Sequence, residues 1–339
     1  LTVDQTEARK SRHIDICLDD DVASRADAGF GAVRLRHEAL PDFALEDVDT
    51  KALFLGHSLR APLLVSSMTG GTERAASINR NLAVAAEAAG IALALGSQRA
   101  AIENGALLAT YDVRSVAPNV VLFANIGAVQ LNYGVSIDDV RKTIEAIGAH
   151  GLFLHFNPLQ EALQAGGNTN FHGLEEKIRA LCAALEVPVI AKGVGSGMSP
   201  QTARRLINAG VRAIDIAGAG GTSWARVEGK RSDDPVRERL AESFGDWGYP
   251  TATATARMRA EFPTAAIVAS GGIRCGVDMA KAIALGADLC GIGLPFLEAA
   301  TESADAVAAL IEEYCTGLRI AQFASGSKSL VALRGALAH

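Results

Sequence analysis

The amino-acid sequence predicts an α/β fold, a (β/α)₈ TIM barrel with an N-terminal extension and an enlarged loop after strand six. Three observations lead there. From Pro62 onward, short apolar runs alternate with stretches of helical periodicity, and the runs end near Ser67, Gly96, Asn125, Phe156, Lys192, Ala217, Ser270 and Gly293, which makes eight strands. Residues 264–297 read as two strand–loop–helix units in a row, each with a glycine-rich turn. A chain of 339 residues that is 49% hydrophobic has the length and apolar content for one such barrel with additions.

In chain order, residues 1–60 are mixed and charged and lack the strand–helix rhythm, so they are expected to form an arm laid over the barrel of residues 61–339. The clearest helices are predicted over 72–89, 137–149, 174–185 and 200–209, with Gly90, Gly151 and Gly210 as the glycines that end them. Alternation sustained over this length favours a closed parallel barrel over an open sheet. Residues 224–249 break the rhythm and are expected to be an irregular lid or binding loop. The run 265–270 is β-prone and 277–285 is helical, so Gly271 and Gly272 sit at a strand-to-helix turn, and Pro295 stands where a first-turn proline opens the last of these helices. Such turns bring backbone N–H groups against an anion, and the helix dipole adds about 0.3 to 2 kcal/mol.

With 38 acidic against 32 basic residues the net charge is −6, which argues against a nucleic-acid-binding surface. An anionic ligand must therefore be held by local groups. The five cysteines, at 17, 182, 275, 290 and 315, form neither a CxxC pair nor a metal-ligand spacing and read as reduced packing residues of a cytoplasmic protein. No run of apolar residues reaches membrane-spanning length, so no membrane partner is expected. No GxGxxG follows the first strand, which speaks against an adenine dinucleotide as the tightly held cofactor.

The C-terminal ends of barrel strands face the active site. Here they are polar: SSMTGG at 66–71, GSQR at 96–99, Asn125, HFNPLQE at 155–161, Lys192, and GAGGT at 218–222. Lys192 suits a Schiff base or a positive charge beside an electron-rich ring, and the anion-binding turns favour the second. Asn125 and Thr69 can hydrogen-bond a heterocycle, while Met68 and the glycines near it let a flat ring lie against the backbone. That is the pattern of a flavin site.

ARKSRH at 8–13, followed in order by SSMTGG, GSQR, HFNPLQE, GAGGTSW at 218–224 and SGGIR at 270–274, resembles type 2 isopentenyl-diphosphate isomerase over nearly the whole chain. Members of that family interconvert isopentenyl and dimethylallyl diphosphate in isoprenoid biosynthesis. The resemblance implies FMN, Mg²⁺, NADPH as reductant of the flavin, a small-molecule diphosphate substrate, and a homo-oligomer, a tetramer or octamer. Carried over by motif, Ser67, Met68, Thr69, Ser97, Asn125, Lys192, Thr222, Gly271, Gly272, Ile273, Arg274, Gly293 and Leu294 correspond to FMN contacts. Arg9, Lys10, His13, Ser97, Gln98, Arg99, His155, Asn157 and Gln160 correspond to the substrate-binding set, and Glu161 to the Mg²⁺ ligand. Gln160, Glu161, Glu228 and His155 are the catalytic candidates, with Glu228 similar in place to an acid implicated in proton transfer.

Two departures from the family stand out: AGGN at 165–168 in place of PEGD, and KGVG at 192–195 in place of KEVG. They predict weaker ion binding or a looser loop. The basic residues fit a diphosphate, since each cation within about 4 Å contributes on the order of 4 kcal/mol before desolvation at an effective dielectric near 20. The isomerisation involves no net redox change, so a flavin is expected to serve in its reduced form as an acid–base cofactor. Two alternatives stay open at this stage. An FMN-dependent 2-hydroxy-acid oxidase or dehydrogenase would share the phosphate turn but wants a histidine and an arginine after strand six, where the chain offers only Arg226. A catalytically silent flavin-binding barrel would have no use for His155, Asn157, Gln160 and Glu161 together.

Overall fold

The computed structural model describes residues 3–338, with side chains from Lys10 onward. A helix, Val3–Asp19, opens the chain, and an antiparallel hairpin of β1 (Ala52–Phe54) and β2 (His57–Leu59) ends the arm. Eight parallel strands follow: β3 (Leu63–Val65), β4 (Ala92–Ala94), β5 (Val121–Gly127), β6 (Gly151–Phe156), β7 (Val189–Gly193), β8 (Ala213–Asp215), β9 (Ala266–Ser270) and β10 (Leu289–Ile292). Each pairs with the next, and β10 pairs with β3 to close the barrel.

Strand side chains alternate between the two faces. Leu64, Ala94, Phe123, Phe153, Ile190, Ala213, Val268 and Leu289 therefore fill the interior, forming a cluster separate from the larger core between barrel and helices. Two residues further along each chain segment stand Ser66, Gly96, Asn125, His155, Lys192, Asp215, Ser270 and Gly291. The barrel thus changes from apolar to polar within one step of the pleat. The hairpin supplies the floor: Phe54 and Leu59 join the interior cluster, and Phe54 meets Phe123 edge to face at 6.2 Å, as Phe123 meets Phe153 at 5.5 Å. Its turn residues Leu55 and Gly56 both have positive φ, 47° and 88°, the primed-turn geometry whose twist suits a two-residue hairpin loop.

The arm grips the other mouth too. Ser24 N–H donates to Gly221 O at 2.6 Å and Ser223 N–H to Val22 O at 2.8 Å, so residues 22–24 are stitched to the loop after β8.

The four helices predicted most clearly are present as Glu73–Ala89, Ile137–Ile147, Leu174–Ala184 and Pro200–Asn208. Thr72, Ser136 and Ser199 cap three of them, each accepting a backbone N–H of the first turn. Gly90, with φ 67°, ends the first as expected, and Gly210 follows the last with φ 104°. Gly151 does not end a helix. Gly148, in the left-handed conformation at φ 61°, does so instead, and Gly151 opens β6 where a Cβ would lie 2.9 Å from the Phe123 ring. Residues 224–249 are not irregular either: they hold two helices, Trp224–Arg231 and Pro235–Ser243, capped by Ser223 and Asp234. Their contact is made by small residues, a Cβ on Gly229 falling 2.7 Å from that of Ala241, so no large apolar periodicity marks them in the sequence.

All five cysteines are unpaired; burial pushes the Cys17 thiol up to about 12 and those of Cys182 and Cys315 to about 11, which suits packing residues. No described helix is long and apolar enough to cross a membrane.

Because the hairpin floor packs into the barrel interior at the end away from the polar ring, Phe54→Ala should lower unfolding stability by about 3 to 5 kcal/mol. Urea denaturation reads it, and a midpoint and slope equal to the parent's would show that the hairpin is not part of the core.

Candidate active site

The polar ring forms the base of one deep cleft at the C-terminal mouth. At its floor, Lys192 on β7 and Asp215 on β8 face each other in register, Nζ to Oδ2 at 2.5 Å. Ser270 on β9 donates its hydroxyl to Oδ1 of Asp215 at 2.5 Å and lies 3.4 Å from Nζ. The departure KGVG leaves the lysine paired, because its acid comes from the next strand. A side chain at Gly193 has no room as the backbone stands, since a Cβ there would come 2.6 Å from Ile216 O.

Beside Lys192, His155 on β6 places Nδ1 2.8 Å from Asn125 Oδ1. Burial and the nearby Lys192 charge bring the imidazole down to about 4, so it is neutral at neutral pH. Asn125 Oδ1 is placed to accept from Nδ1 in the tautomer protonated there. The short helix Pro158–Leu163 then presents a corner of amides around one carboxylate. Asn157 Nδ2 donates to Glu161 Oε1 and to Gln160 Oε1, both at 3.1 Å, and Asn168 N–H donates to Glu161 Oε2 at 2.5 Å. The departure AGGN is therefore an ordered loop that closes on Glu161: Asn168 Nδ2 also reaches Gln130 Oε1 at 3.2 Å, and a side chain at Gly167 would strike the Glu161 carbonyl.

Glu228 stands behind this corner with its side chain fully buried, outside the cleft lining. Gln160 Nε2 donates to its Oε1 at 3.0 Å, His13 Nε2 lies 3.2 Å from the same oxygen, and Arg231 Nε pairs with Oε2 at 2.8 Å. Burial alone would raise its pKa, but His13, Gln160 and Arg231 together outweigh burial and hold the carboxyl at about 2. A carboxylate so held has no proton to give at neutral pH. In this structure it accepts a hydrogen bond from Gln160 and lies beside His13.

At the opposite wall lie the glycine turns. Gly271 and Gly272 have φ of 101° and 78°; a Cβ on the first would strike Gly218 O, and one on the second would fall 2.6 Å from Ala28 Cβ. Ile273 and Arg274 follow, ahead of the helix Gly276–Ala284, while Gly293 caps the helix Leu294–Glu302. Ser67, Met68, Thr69, Ser97, Arg99 and Thr222 complete the wall and rim. From the arm, Lys10 and His13 also line the cleft, with Lys10 Nζ 3.1 Å from Ser97 O and 2.8 Å from the Tyr111 hydroxyl.

The cleft thus gathers nearly every residue singled out from the sequence. Two fall outside the gathering, and the side chain of a third is not among the described residues. Gln98 is 1% exposed, with its amide spent on Gly96 O and Asn125 N–H, both at 2.6 Å, so it joins two strand exits and does not line the cleft. Glu228 lies behind Gln160 as described, and the Arg9 side chain lies outside the described residues. Conversely, Asp215, Gln130 and Gln164 escaped the sequence reading. Asp215 had a signal, an acid inside the apolar run VRAIDIAG two residues after an inward alanine. Gln130 sits on a helical turn and Gln164 just past the end of the helix Pro158–Leu163, with no such mark.

Buried oxygens without partners point to missing ligands: Ser66 Oγ and Ser67 Oγ near the glycine turns, and Asn157 Oδ1 beside Glu161. The first two, with the Gly271 and Gly272 cradle and the two helix starts, fit a phosphorylated planar cofactor. Among the described residues no group of three or more His, Cys, Asp or Glu side chains could hold a metal. Glu161 with amide oxygens around it fits a hard divalent ion only if ligand oxygens complete the shell. Arg226 donates to Ala23 O and pairs with Asp21 and Glu242, so the arginine that a hydroxy-acid oxidase would need is engaged elsewhere.

The profile of the FMN-dependent dehydrogenase family matches residues 157–338. By backbone the chain is similar to a mandelate oxidase variant bearing an FMN adduct (TM-score 0.66, 19% identity, 98% of this chain and 97% of that one), a likeness of fold. In sequence it is 50% identical over 327 residues to the isopentenyl-diphosphate delta-isomerase of Synechococcus sp., covering 96% of this chain and 94% of that protein. The protein of the same name from Xanthobacter autotrophicus is 51% identical over 328 residues, covering 96% and 95%. Half the residues shared across both the arm and the whole barrel place this chain in the isopentenyl-diphosphate delta-isomerase family.

Proposed function

We propose that this enzyme interconverts isopentenyl and dimethylallyl diphosphate with reduced FMN as acid–base cofactor. The observation that carries the reading is one cleft that joins a glycine cradle with unpartnered serines, a buried lysine floor, and an oxygen-rich corner at Glu161 under a basic rim. When bound, reduced FMN supplies an electron-rich ring able to give and take protons without net redox change.

Gly271, Gly272, Ile273, Arg274, Gly293 and Leu294 hold the cofactor phosphate. Ser67, Met68, Thr69, Ser97, Asn125 and Thr222 bound the space for the ring, with the Lys192 cation beneath. Lys10, His13 and Arg99 grip the diphosphate, and we place Arg9 with them. On this reading residues 1–60 are part of the substrate site as well as of the fold.

Glu161 and Asn157 would hold Mg²⁺, which would supply positive charge to a diphosphate. Gln160, locked between Asn157 and Glu228, cannot ionise and directs a proton by its hydrogen bonds. His155, neutral and turned by Asn125, contributes a hydrogen bond to the substrate without an added charge. We further assign NADPH as the reductant, a cytoplasmic setting and a homo-oligomer, a tetramer or octamer, on the family resemblance alone.

Glu161→Gln removes the one carboxylate from the ion corner while keeping its shape. Activity should fall by about tenfold or more, about 1.4 kcal/mol of transition-state stabilisation, and the Mg²⁺ titration should flatten. An unchanged titration would assign the ion to other ligands.

The role of the cofactor is read by solvent exchange. In deuterated water, enzyme with reduced FMN should place deuterium on the carbon that becomes a methyl group, and enzyme with oxidised FMN should still bind the diphosphate yet incorporate none. Equal incorporation in both states would assign the proton work to side chains and leave FMN a structural part.

A further inference from the structure

We infer that Asp215 is a positioning residue: a fully buried carboxylate that holds the Lys192 ammonium at the floor of the cleft and so sets how tightly the cleft binds FMN. The inference rests on the flavin reading above. Asp215 does not line the cleft; its side chain is 0% exposed against 11% for Lys192, so the carboxylate lies behind the ammonium and reaches a ligand only through it.

Its own position is fixed from three sides. Lys192 on β7 meets Oδ2 at 2.5 Å, Ser270 on β9 donates to Oδ1 at 2.5 Å, and the N–H of Ala217 donates to Oδ1 at 3.2 Å. The last bond closes a tight turn at the exit of β8, where Ala217 has φ 43°, a conformation that costs a non-glycine residue energy and persists only where its surroundings enforce it. Ala217 itself lines the cleft. One carboxylate therefore sets both the lysine and the neighbouring wall. In a poorly hydrated interior an ion pair at this distance is strong, and losing one partner leaves the other uncompensated.

Asp215→Asn is a clean probe. The amide keeps an oxygen for Ser270 and Ala217 and turns a donor toward the ammonium, so the Lys192 contact is what it loses. Ser270 Oγ, at 3.4 Å, is the remaining described hydrogen bond of that ammonium.

The experiment titrates FMN into apoprotein, by quenching of flavin fluorescence, for the parent, Asp215→Asn, Lys192→Met and the double variant. All titrations run well below each protein's thermal midpoint. Asp215→Asn should weaken FMN binding by about tenfold or more in the parent background, the scale expected when a buried pair loses one member. In the Lys192→Met background the same change should alter it by no more than about twofold, because a residue that acts through another has no effect once that other is gone. The absorption spectrum of bound FMN in Asp215→Asn should match that in Lys192→Met.

Parent-like or tighter binding in Asp215→Asn overturns the inference, as does an equal loss in both backgrounds, which a general loosening of the barrel would give. Should Asp215→Asn not fold, Ser270→Ala is read in the same two backgrounds: it spares the charge pair but removes a donor that aims the carboxylate, and a loss confined to the Lys192 background supports the inference, while an equal loss overturns it. A parent that binds no FMN at all refutes the flavin reading itself and the inference with it, a result separable from the others by the parent titration alone.

Discussion

The packing of Phe54, Phe123 and Phe153 inside the barrel is the constraint on which the rest depends. The barrel is filled from below by aromatic and aliphatic side chains, two of them, Phe54 and Leu59, delivered by the hairpin of the arm. That filling leaves the interior open at one end only. Because the pleat alternates, the first inward position above the apolar layer lines the cleft on every barrel strand but β8, and several of those positions are polar. Lys192 rests over the Phe153 ring at 5.9 Å, so the boundary between the two layers is also the floor of the site. A charge placed one step lower would have met only apolar side chains.

Above that floor, the electrostatics divide by sector. The chain as a whole is acidic, yet Lys10, Arg99, Lys192 and Arg274 converge on one mouth, with Glu161 as the carboxylate of the cleft lining. The other acids that matter, Asp215 and Glu228, are withdrawn behind the residues they hold. This arrangement keeps repulsion away from an anionic ligand while giving Lys192 and Gln160 fixed partners. Buried acids behind a cationic surface serve orientation, whereas acids at the surface would have opposed binding.

Much of this was legible in the residues. The eight strands could be read because each is a short apolar run bounded by glycine or polar residues, and the glycine turns because positive φ and close backbone approach leave few other choices at Gly271 and Gly272. The helices over 224–249 were not legible, since small residues make their contacts and charged residues dominate their composition. Gly151 misled because a glycine needed for packing against Phe123 sits three residues after the one that ends the helix. Asp215 was not picked out, and the place of Glu228 behind Gln160 was not foreseen, for a common reason. Spacing shows which residue types lie near a strand end, but only the register between strands and helices decides whether a carboxylate faces the cleft or stands behind a neighbour.

The arm touches both ends of the barrel, and this bears on how the protein is made. During synthesis the first sixty or so residues emerge before any barrel strand, but their resting places are the loop after β8 and an interior bounded by all eight strands. β3, the first barrel strand made, waits for β10, the last, before it has its second neighbour. Contacts of such long sequence separation close slowly, and Phe54 with the apolar face of each early strand stays exposed in the meantime. The same plug that gives the finished enzyme a single open mouth leaves apolar surface without its native cover until β10 has been made and can pair with β3.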